Sequence, residues 1–245
     1  MLQPKHSPVH YNRSSKRLSG SFTLLSWNMN KRTLDKHAAH YSKTLFDEES
    51  VDIIALQEAK AALDVHTLYT FPSVMSPNIQ TSKNLYGVQT ASNHSFKAYQ
   101  QHLTDTRESF FATRKSALVT LHYFDDGSHA TVVNIHAINF VLHLYYKKEL
   151  LRLVERIRHI EGPMILCGDF NSWNKKRYMT MMEFVKDLGL EKVAFDTGKY
   201  IKSFNRQPLD YVFYRGLSIL SQKVLDIPTV SDHNPLIVRF KKTSA

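Results

Sequence analysis

Residues 165–173 read ILCGDFNSW: three apolar side chains run into Gly168, and Asp169, Phe170, Asn171 and Trp173 follow. An apolar run that stops at glycine is a common way for a strand to enter a turn, because glycine, aspartate and asparagine all tolerate turn geometry. Read for chemistry, the same stretch delivers two oxygen-bearing side chains, Asp169 and Asn171, to the end of a strand. The stretch alone leaves both readings open, and the other strand ends of the chain decide between them.

Working outward, short β-rich runs recur along the chain at 21–28, 51–58, 86–92, 116–124, 130–140, 164–171, 209–217 and 234–240. They mix β-branched, aromatic and leucine residues, and several are bounded by turn formers. LHYFDDGSHATVV, residues 121–133, has the pattern of a hairpin turning at Asp126-Gly127. Between the strands, residues 145–160 predict a helix with Leu150, Leu151, Val154, Ile157 and Ile160 on one face, stopped by Gly162 and Pro163. A second helix is predicted over 175–188, closed by Gly189, and a weaker third over 33–49. Met179, Met181 and Met182 read as core packing. Strands and helices mixed over the whole length, without repeats or a long linker, indicate one α/β or α+β domain.

The chain has 245 residues, 42% hydrophobic and 22% charged, which is enough apolar material for a sizeable core. Its formal net charge of +10 favours polyanionic partners: nucleic acid, an anionic membrane surface or phosphorylated small molecules. The one cysteine, Cys167, excludes an internal disulfide, argues against a cysteine-rich zinc site, and sits where a small core residue belongs. No stretch approaches the roughly 20 apolar residues of a membrane span. The first 20 residues carry Lys5, Arg13, Lys16 and Arg17, no acid and no apolar segment of the secretory kind. The expectation is a flexible basic arm over 1–20, a single catalytic domain over 21–245, and a cytoplasmic protein without stable membrane insertion.

The strand ends share one property. LLSWN ends in Asn28, DIIALQE in Glu58, and VVNIH presents Asn134 and His136. ILCGDFN presents Asp169 and Asn171, LDYVF opens with Asp210, and VSDHNPLIV places Asp232 and His233 just ahead of a strand. Each alone fits a turn, a helix start or a solvent-facing position. Their concurrence at six apolar runs is what points to a site.

The ordered set WN, QE, NIH, GDFN, LDY and SDH resembles the endonuclease/exonuclease/phosphatase superfamily, the DNase I-like hydrolases, from about Ser21 to Phe240. The wording VVNIHAINF, GDFNSW and PLDYVFYRGL is also similar to an uncharacterised bacterial branch of that superfamily. The resemblance implies an α/β (α+β) four-layer sandwich of two packed mixed β-sheets flanked by helices. It implies metal-dependent cleavage of a phosphoester by an activated water. Carried over by position, Glu58 ligates a divalent metal with Asn28 and Asp232 close by, and Asp169 and Asn171 bind the attacking water and a phosphate oxygen. His233 is then the general base or a phosphate contact oriented by Asp210, and His136 stabilises the phosphate or protonates the leaving oxygen. Oxygen donors suit magnesium, with manganese as a substitute, better than zinc. Glu108 is the nearest acid able to support His136, against the reading of a solvated strand-edge acid.

Substrate choice rests on less. His136 stands where abasic-site enzymes of the superfamily show tyrosine, which leans toward the DNase or phosphodiesterase type. Lys175, Lys176 and Arg177 at a helix start oppose the helix dipole unless an anion lies nearby. With Lys31 and Arg32 they are expected to form a basic substrate-binding rim, and Trp173 to stack on a base or ring. The leading expectation is a monomeric magnesium-dependent nuclease. The alternatives are a phosphatase or a sphingomyelinase-like phospholipid phosphodiesterase, or a noncatalytic binding module on the same scaffold. Phe71, Leu85 and Tyr86 lie in a stretch with no assigned role.

Overall fold

The computed structural model describes residue 4 and residues 11–12, 14–108 and 113–243. In chain order the strands are β1 (Tyr11–Asn12), β2 (Ser21–Asn28), β3 (Ile53–Ala62), β4 (Thr67–Leu68), β5 (Phe71–Gln80), β6 (Asn84–Ser92), β7 (Phe96–Leu103) and β8 (Ser116–Tyr123). They continue as β9 (His129–His136), β10 (Met164–Asp169), β11 (Glu191–Lys192), β12 (Ser203–Phe204), β13 (Gln207–Pro208), β14 (Asp210–Arg215), β15 (Leu217–Val224) and β16 (Leu236–Lys242). The helices are α1 (Lys36–Glu48), α2 (His143–Ile157) and α3 (Lys175–Asp187). One seven-stranded sheet has the order β1-β7-β8-β9-β10-β14-β11, the other β15-β16-β2-β3-β6-β5-β4, and β12-β13 form a separate hairpin. Both large sheets mix parallel and antiparallel pairs, as expected.

Alternation of side chains along the central strands builds the layers. Leu24, Ile53, Ala55, Leu236 and Val238 of one sheet meet Ala130, Val132, Ile165, Cys167 and Val212 of the other in a shared core. Their sequence neighbours face outward. Leu25, Ile54 and Leu56 lie under Leu45 and Phe46 of α1. Val133, Ile135, Leu166 and Phe213 lie under Leu150, Leu153, Val154, Met181 and Phe184 of α2 and α3. Strands covered on both faces read as continuous apolar runs, which is why they stood out in the sequence.

Several expectations need adjustment. Leu151 is exposed and Leu153 takes its place in the core. Met181 is buried and Met182 packs beside the core, but Met179 is half exposed. The apolar run over 130–140 is strand only to His136. Phe71 of β5 is in the core, Leu85 of β6 is partly buried against it, and Tyr86 of β6 lines the cleft described below. Within the expected arm, Tyr11–Asn12 pair with Phe96–Lys97, and Leu18 is fully buried beside Phe124. Lys5 and Arg13 lie outside the described residues. Among the described residues no helix is long and apolar enough to cross a membrane.

Gly168 does not stop the strand; it lets two strands close. Its φ is +134°, and a Cβ there would lie 2.0 Å from the Ile135 carbonyl oxygen on β9. Gly168→Ala is therefore expected to cost about 2 kcal/mol or more, from overpacking and backbone strain together, read by urea unfolding.

Two buried histidines make stability pH-dependent. Burial pushes His122, stacked on Phe96, down to about 3, and burial with Arg156 and Arg152 pushes His102 down to about 4. Both folded values lie below the unfolded value near 6.5, so only the unfolded chain takes up these protons in between. Stability present above pH 6.5 is then lost as pH falls toward 4, by up to about 1.4 kcal/mol per pH unit per histidine. Unfolding followed from pH 7 to pH 4 should show this slope, and His122→Gln should reduce it.

Candidate functional site

The inward row of each central strand changes from apolar to polar at one end of the sandwich. On β9 it runs Val132, Asn134, His136; on β10 Ile165, Cys167, Asp169; on β14 Val212 gives way to Asp210; on β2 Leu24 is followed by Ser26 and Asn28. Pairing registers Asp169 with both His136 and Asp210. One short row of three strands therefore carries a histidine and two carboxylates. Glu58 arrives differently. It sits in a bulge of β3 between Leu56 and Ala59, with φ +46°, and its carbonyl accepts from the Lys31 N–H at 2.8 Å. Bulges of this kind re-aim a side chain. The loop carrying Asp232 and His233 is fastened to the end of β2: Ser231 Oγ donates to the Asn28 carbonyl at 2.7 Å, and Trp27 Nε1 donates to the His233 carbonyl at 2.8 Å.

Asn28, Glu58, His136, Asp169, Asn171, Asp232 and His233 line one cleft of about 380 Å³. Asp210 is buried beneath it, and His233 Nδ1 lies 2.7 Å from its Oδ2. Burial alone would lower the His233 pKa, but Asp210, through its charge and hydrogen bond, and Asp169 push it up to about 9. Burial and the charge of Asp210 push Asp169 up to about 6. Asp169 accepts from Asn28 Nδ2 at 3.0 Å and from the Asn171 N–H at 2.9 Å. Asn171, in the left-handed region at φ +48°, donates Nδ2 to the Ala137 carbonyl and accepts from Asn139 Nδ2 at 2.7 Å.

His136 is held neutral. Burial first, then the charges of Lys115, His233 and Lys31, keep its pKa well below the ordinary histidine value. Lys115 Nζ lies 3.1 Å from His136 Nε2. An ammonium has only protons to give, so Nε2 accepts and Nδ1 carries the ring hydrogen. The approaches of Nε2 to Asp169 at 3.7 Å and Glu58 at 3.8 Å are thus not ion pairs.

Lys31 lines the cleft, with Nζ 3.1 Å from Glu58. The rest of the expected rim lies elsewhere. Arg32 bonds the Thr229 carbonyl and pairs with Asp35, and Lys175 and Lys176 are exposed on α3 outside the cleft lining. Arg177 must be corrected outright: it is buried. Its guanidinium donates to the carbonyls of Ile138, Asn171 and Val141 and stacks over Tyr146 and Trp173. The cation that opposed the helix dipole is spent on backbone carbonyls. Trp173 donates Nε1 to Asn139 Oδ1 at 2.9 Å and meets Phe204 edge-on. Glu108 is also buried, not solvated. It accepts from the Asn139 N–H at 2.8 Å and lies 3.6 Å from Lys115, so it reaches His136 only through that lysine.

Sequence reasoning missed Lys115, Asn139 and Lys202, which all line the cleft. Lys115 stands just before β8 and Asn139 three residues after His136, weak signals without the fold. Lys202 pairs with Asp232.

The donor set fits a hard divalent cation. Glu58, Asp169 and Asn28 line one cleft, with Asn28 Oδ1 accepting from the Asn30 N–H at 3.0 Å, while the lone thiol, Cys167, is buried in the inter-sheet core. Ligand atoms of Asp169, Asp210 and His233 lie within 4.8 Å of one another, and Asp210 Oδ1 is buried with no hydrogen-bond partner among the described residues. His233 Nδ1 is committed to Asp210, which leaves its Nε2 and the carboxylate oxygens as the candidate donors of this group.

Comparison with known proteins bears on this geometry. Residues 25–233 match the sequence profile of the Endonuclease/Exonuclease/phosphatase family. A UPF0294 protein of Yersinia enterocolitica is 45% identical over 136 residues, 55% of this chain and 52% of the relative. A UPF0294 protein of Klebsiella pneumoniae is 44% identical over 135 residues, 55% of this chain and 50% of the relative. The matched region is thus about half the length of these curated relatives. Among solved structures, an endonuclease/exonuclease/phosphatase family protein from Leptotrichia buccalis superimposes with a TM-score of 0.68 at 20% identity, over 90% of this chain and 99% of that one. The human Nocturnin catalytic domain with bound sulfate anion gives 0.65 at 16% identity, over 96% and 98%.

Because Arg177 supports the backbone around Asn171, Arg177→Ala is expected to lower stability by roughly 3 kcal/mol, by leaving buried carbonyls unpaired. Lys175→Ala and Lys176→Ala should leave the same denaturant midpoint unchanged.

Proposed function

Since the chain belongs to the endonuclease/exonuclease/phosphatase family, whose members are generally hydrolases of phosphoester bonds, we propose that it is a magnesium-dependent phosphodiesterase acting on nucleic acid. The observation that carries the reading is the buried Asp210–His233 pair, bonded at 2.7 Å and set beside Asp169 and Asn171 at the floor of a cleft whose mouth holds Glu58. Glu58, Asn28 and Asp169 would hold the cation, with Asp232 on the same wall paired to Lys202. When bound, a hard divalent ion offsets phosphate charge and lowers the pKa of a water.

The chain's own residues supply the rest. His233, kept protonated at neutral pH, meets a phosphate oxygen as a hydrogen-bonding cation; of its two expected roles, this charge state favours the phosphate contact. Asn171, fixed by Asp169, Ala137 and Asn139, presents its amide to the same phosphate. Neutral His136 accepts a hydrogen bond from the Lys115 ammonium, so the proton available to a leaving oxygen at this corner is held by Lys115, with His136 orienting it. Lys31, Lys115 and Lys202 line the cleft and suit a polyanion.

The test is hydrolysis of supercoiled plasmid, single-stranded RNA and a bis-aryl phosphodiester, with magnesium or EDTA. Magnesium-dependent nicking is expected, with His233→Ala slower by at least about 10²-fold. Cleavage of the small diester alone would move the substrate away from nucleic acid. Near-normal turnover by His233→Ala would remove that residue from the mechanism.

A further inference from the structure

The segment between the cleft and the first turns of α2 exposes an apolar surface that the proposed chemistry does not use. Phe140 is 48% exposed, Leu142 74%, Leu144 71% and Tyr145 44%. Phe140 also lines the cleft and holds a φ of +47°, a conformation that costs a bulky side chain energy. Two leucines more than two-thirds exposed beside each other are not forced by the fold, since the inner face of α2 is already filled by Tyr146, Leu150, Leu153 and Val154.

The surroundings of this lip are basic. A shallow groove is lined by Val141, Leu142 and Tyr145 together with Arg107 and Lys148. Lys147 and Lys148 stand one helical turn beyond Leu144. On the other flank, His143 lies within the fields of Lys176, Arg177 and Lys147, opposed by Glu183. Asp105, the acid of the groove, is paired with Arg152 at 3.0 Å.

We propose that Phe140, Leu142, Leu144 and Tyr145, within their basic surround, form a docking surface for an anionic lipid bilayer, with the cleft opening beside the bilayer surface. An apolar knob flanked by basic side chains matches the chemistry of such an interface, apolar within and negative at its surface. The alternatives match less well. A second copy of this chain would set the same basic flanks against each other. Nucleic acid satisfies the lysines but offers Leu142 and Leu144 no apolar slot, and an aliphatic side chain has no π-face to stack on a base. The surface is separate from the metal and phosphate contacts, so the proposal goes beyond the catalytic reading and holds whichever diester is cleaved.

The experiment is sedimentation of the full chain with phosphatidylcholine vesicles, with and without phosphatidylglycerol. Wild type is expected to sediment with the anionic vesicles and less so as salt rises. The double variant Leu142→Ser, Leu144→Ser should bind about tenfold or more weakly, since it withdraws two leucines from an apolar phase. Serine is a favoured N-cap, and Leu142 holds that position in α2, so the variant keeps its fold. A Leu144→Trp reporter should shift its emission to the blue on anionic vesicles. Turnover of whichever soluble substrate wild type cleaves should be unchanged in the double variant; if wild type cleaves neither nucleic acid nor the bis-aryl diester, the catalytic reading fails while the vesicle result stands. The proposal is overturned if wild type ignores anionic vesicles, or if the double variant binds them equally. It is also overturned if the substitutions instead dissolve a dimer or weaken binding of a single-stranded oligonucleotide.

Discussion

A buried amide joins the two sheets just below the cleft. Asn134 is fully buried on β9, yet its Nδ2 donates to the carbonyls of Leu56 and Gln89 on the opposite sheet, and its Oδ1 accepts from Gln57 Nε2 at 2.8 Å. An amide without partners in that position would cost several kcal/mol, so the sheets are held to the relative placement that satisfies it. Hydrophobic contact between sheets has no such directionality. The apolar residues of the shared core bring the sheets together, and Asn134 fixes where their ends meet. Asn28 and Glu58 come from one sheet, His136, Asp169 and Asp210 from the other, so the site exists only at that placement.

Above this bridge the backbone departs from regular geometry. Asn30, Lys31, Glu58, Phe140 and Asn171 all have positive φ, and all line the same cleft. Residues held this way persist because neighbouring structure over-determines them. Asn171 is tied by Asp169, Ala137 and Asn139, and the carbonyls beside it are tied by Arg177. Rigid strands end, and strained, heavily bonded turns aim the side chains.

This division explains what was legible in the sequence. Asn28, His136, Asp169 and Asp210 continue the inward period of apolar strands, so a polar residue there breaks a pattern and can be noticed. Lys115, Arg177 and Glu108 sit in loops or on a helix, where a charge is ordinary and only the fold shows it to be buried or facing the cleft. Strands β5, β7 and β15 were missed for a different reason. Each carries a bulge, at Pro77/Ile79, Ala98/Gln100 and Ile219/Ser221, and a bulge shifts the two-residue alternation by which a strand is read. In β5, Pro72 and Pro77 add a further signal against a strand.

The net charge of +10 favours polyanionic partners, yet the lysines of the cleft are already paired. Lys31 rests on Glu58, Lys202 on Asp232, and Lys115 between His136 and Glu108. Glu58, Asp232 and Glu108 each have a lysine of the same cleft as partner, whereas Asp169 is bonded by the Asn28 amide and the Asn171 N–H, and Asp210 by His233. On the proposed function, a divalent ion held by Glu58 would take that carboxylate from Lys31 and leave the lysine for a phosphate. Such an exchange leaves fewer bare charges in the empty site, where unpaired burial is costly. It would also couple the two ligands, because a lysine freed by one would become available to the other. Lysines outside the cleft, such as Lys147 and Lys148 of α2, are exposed and keep their charge without desolvation.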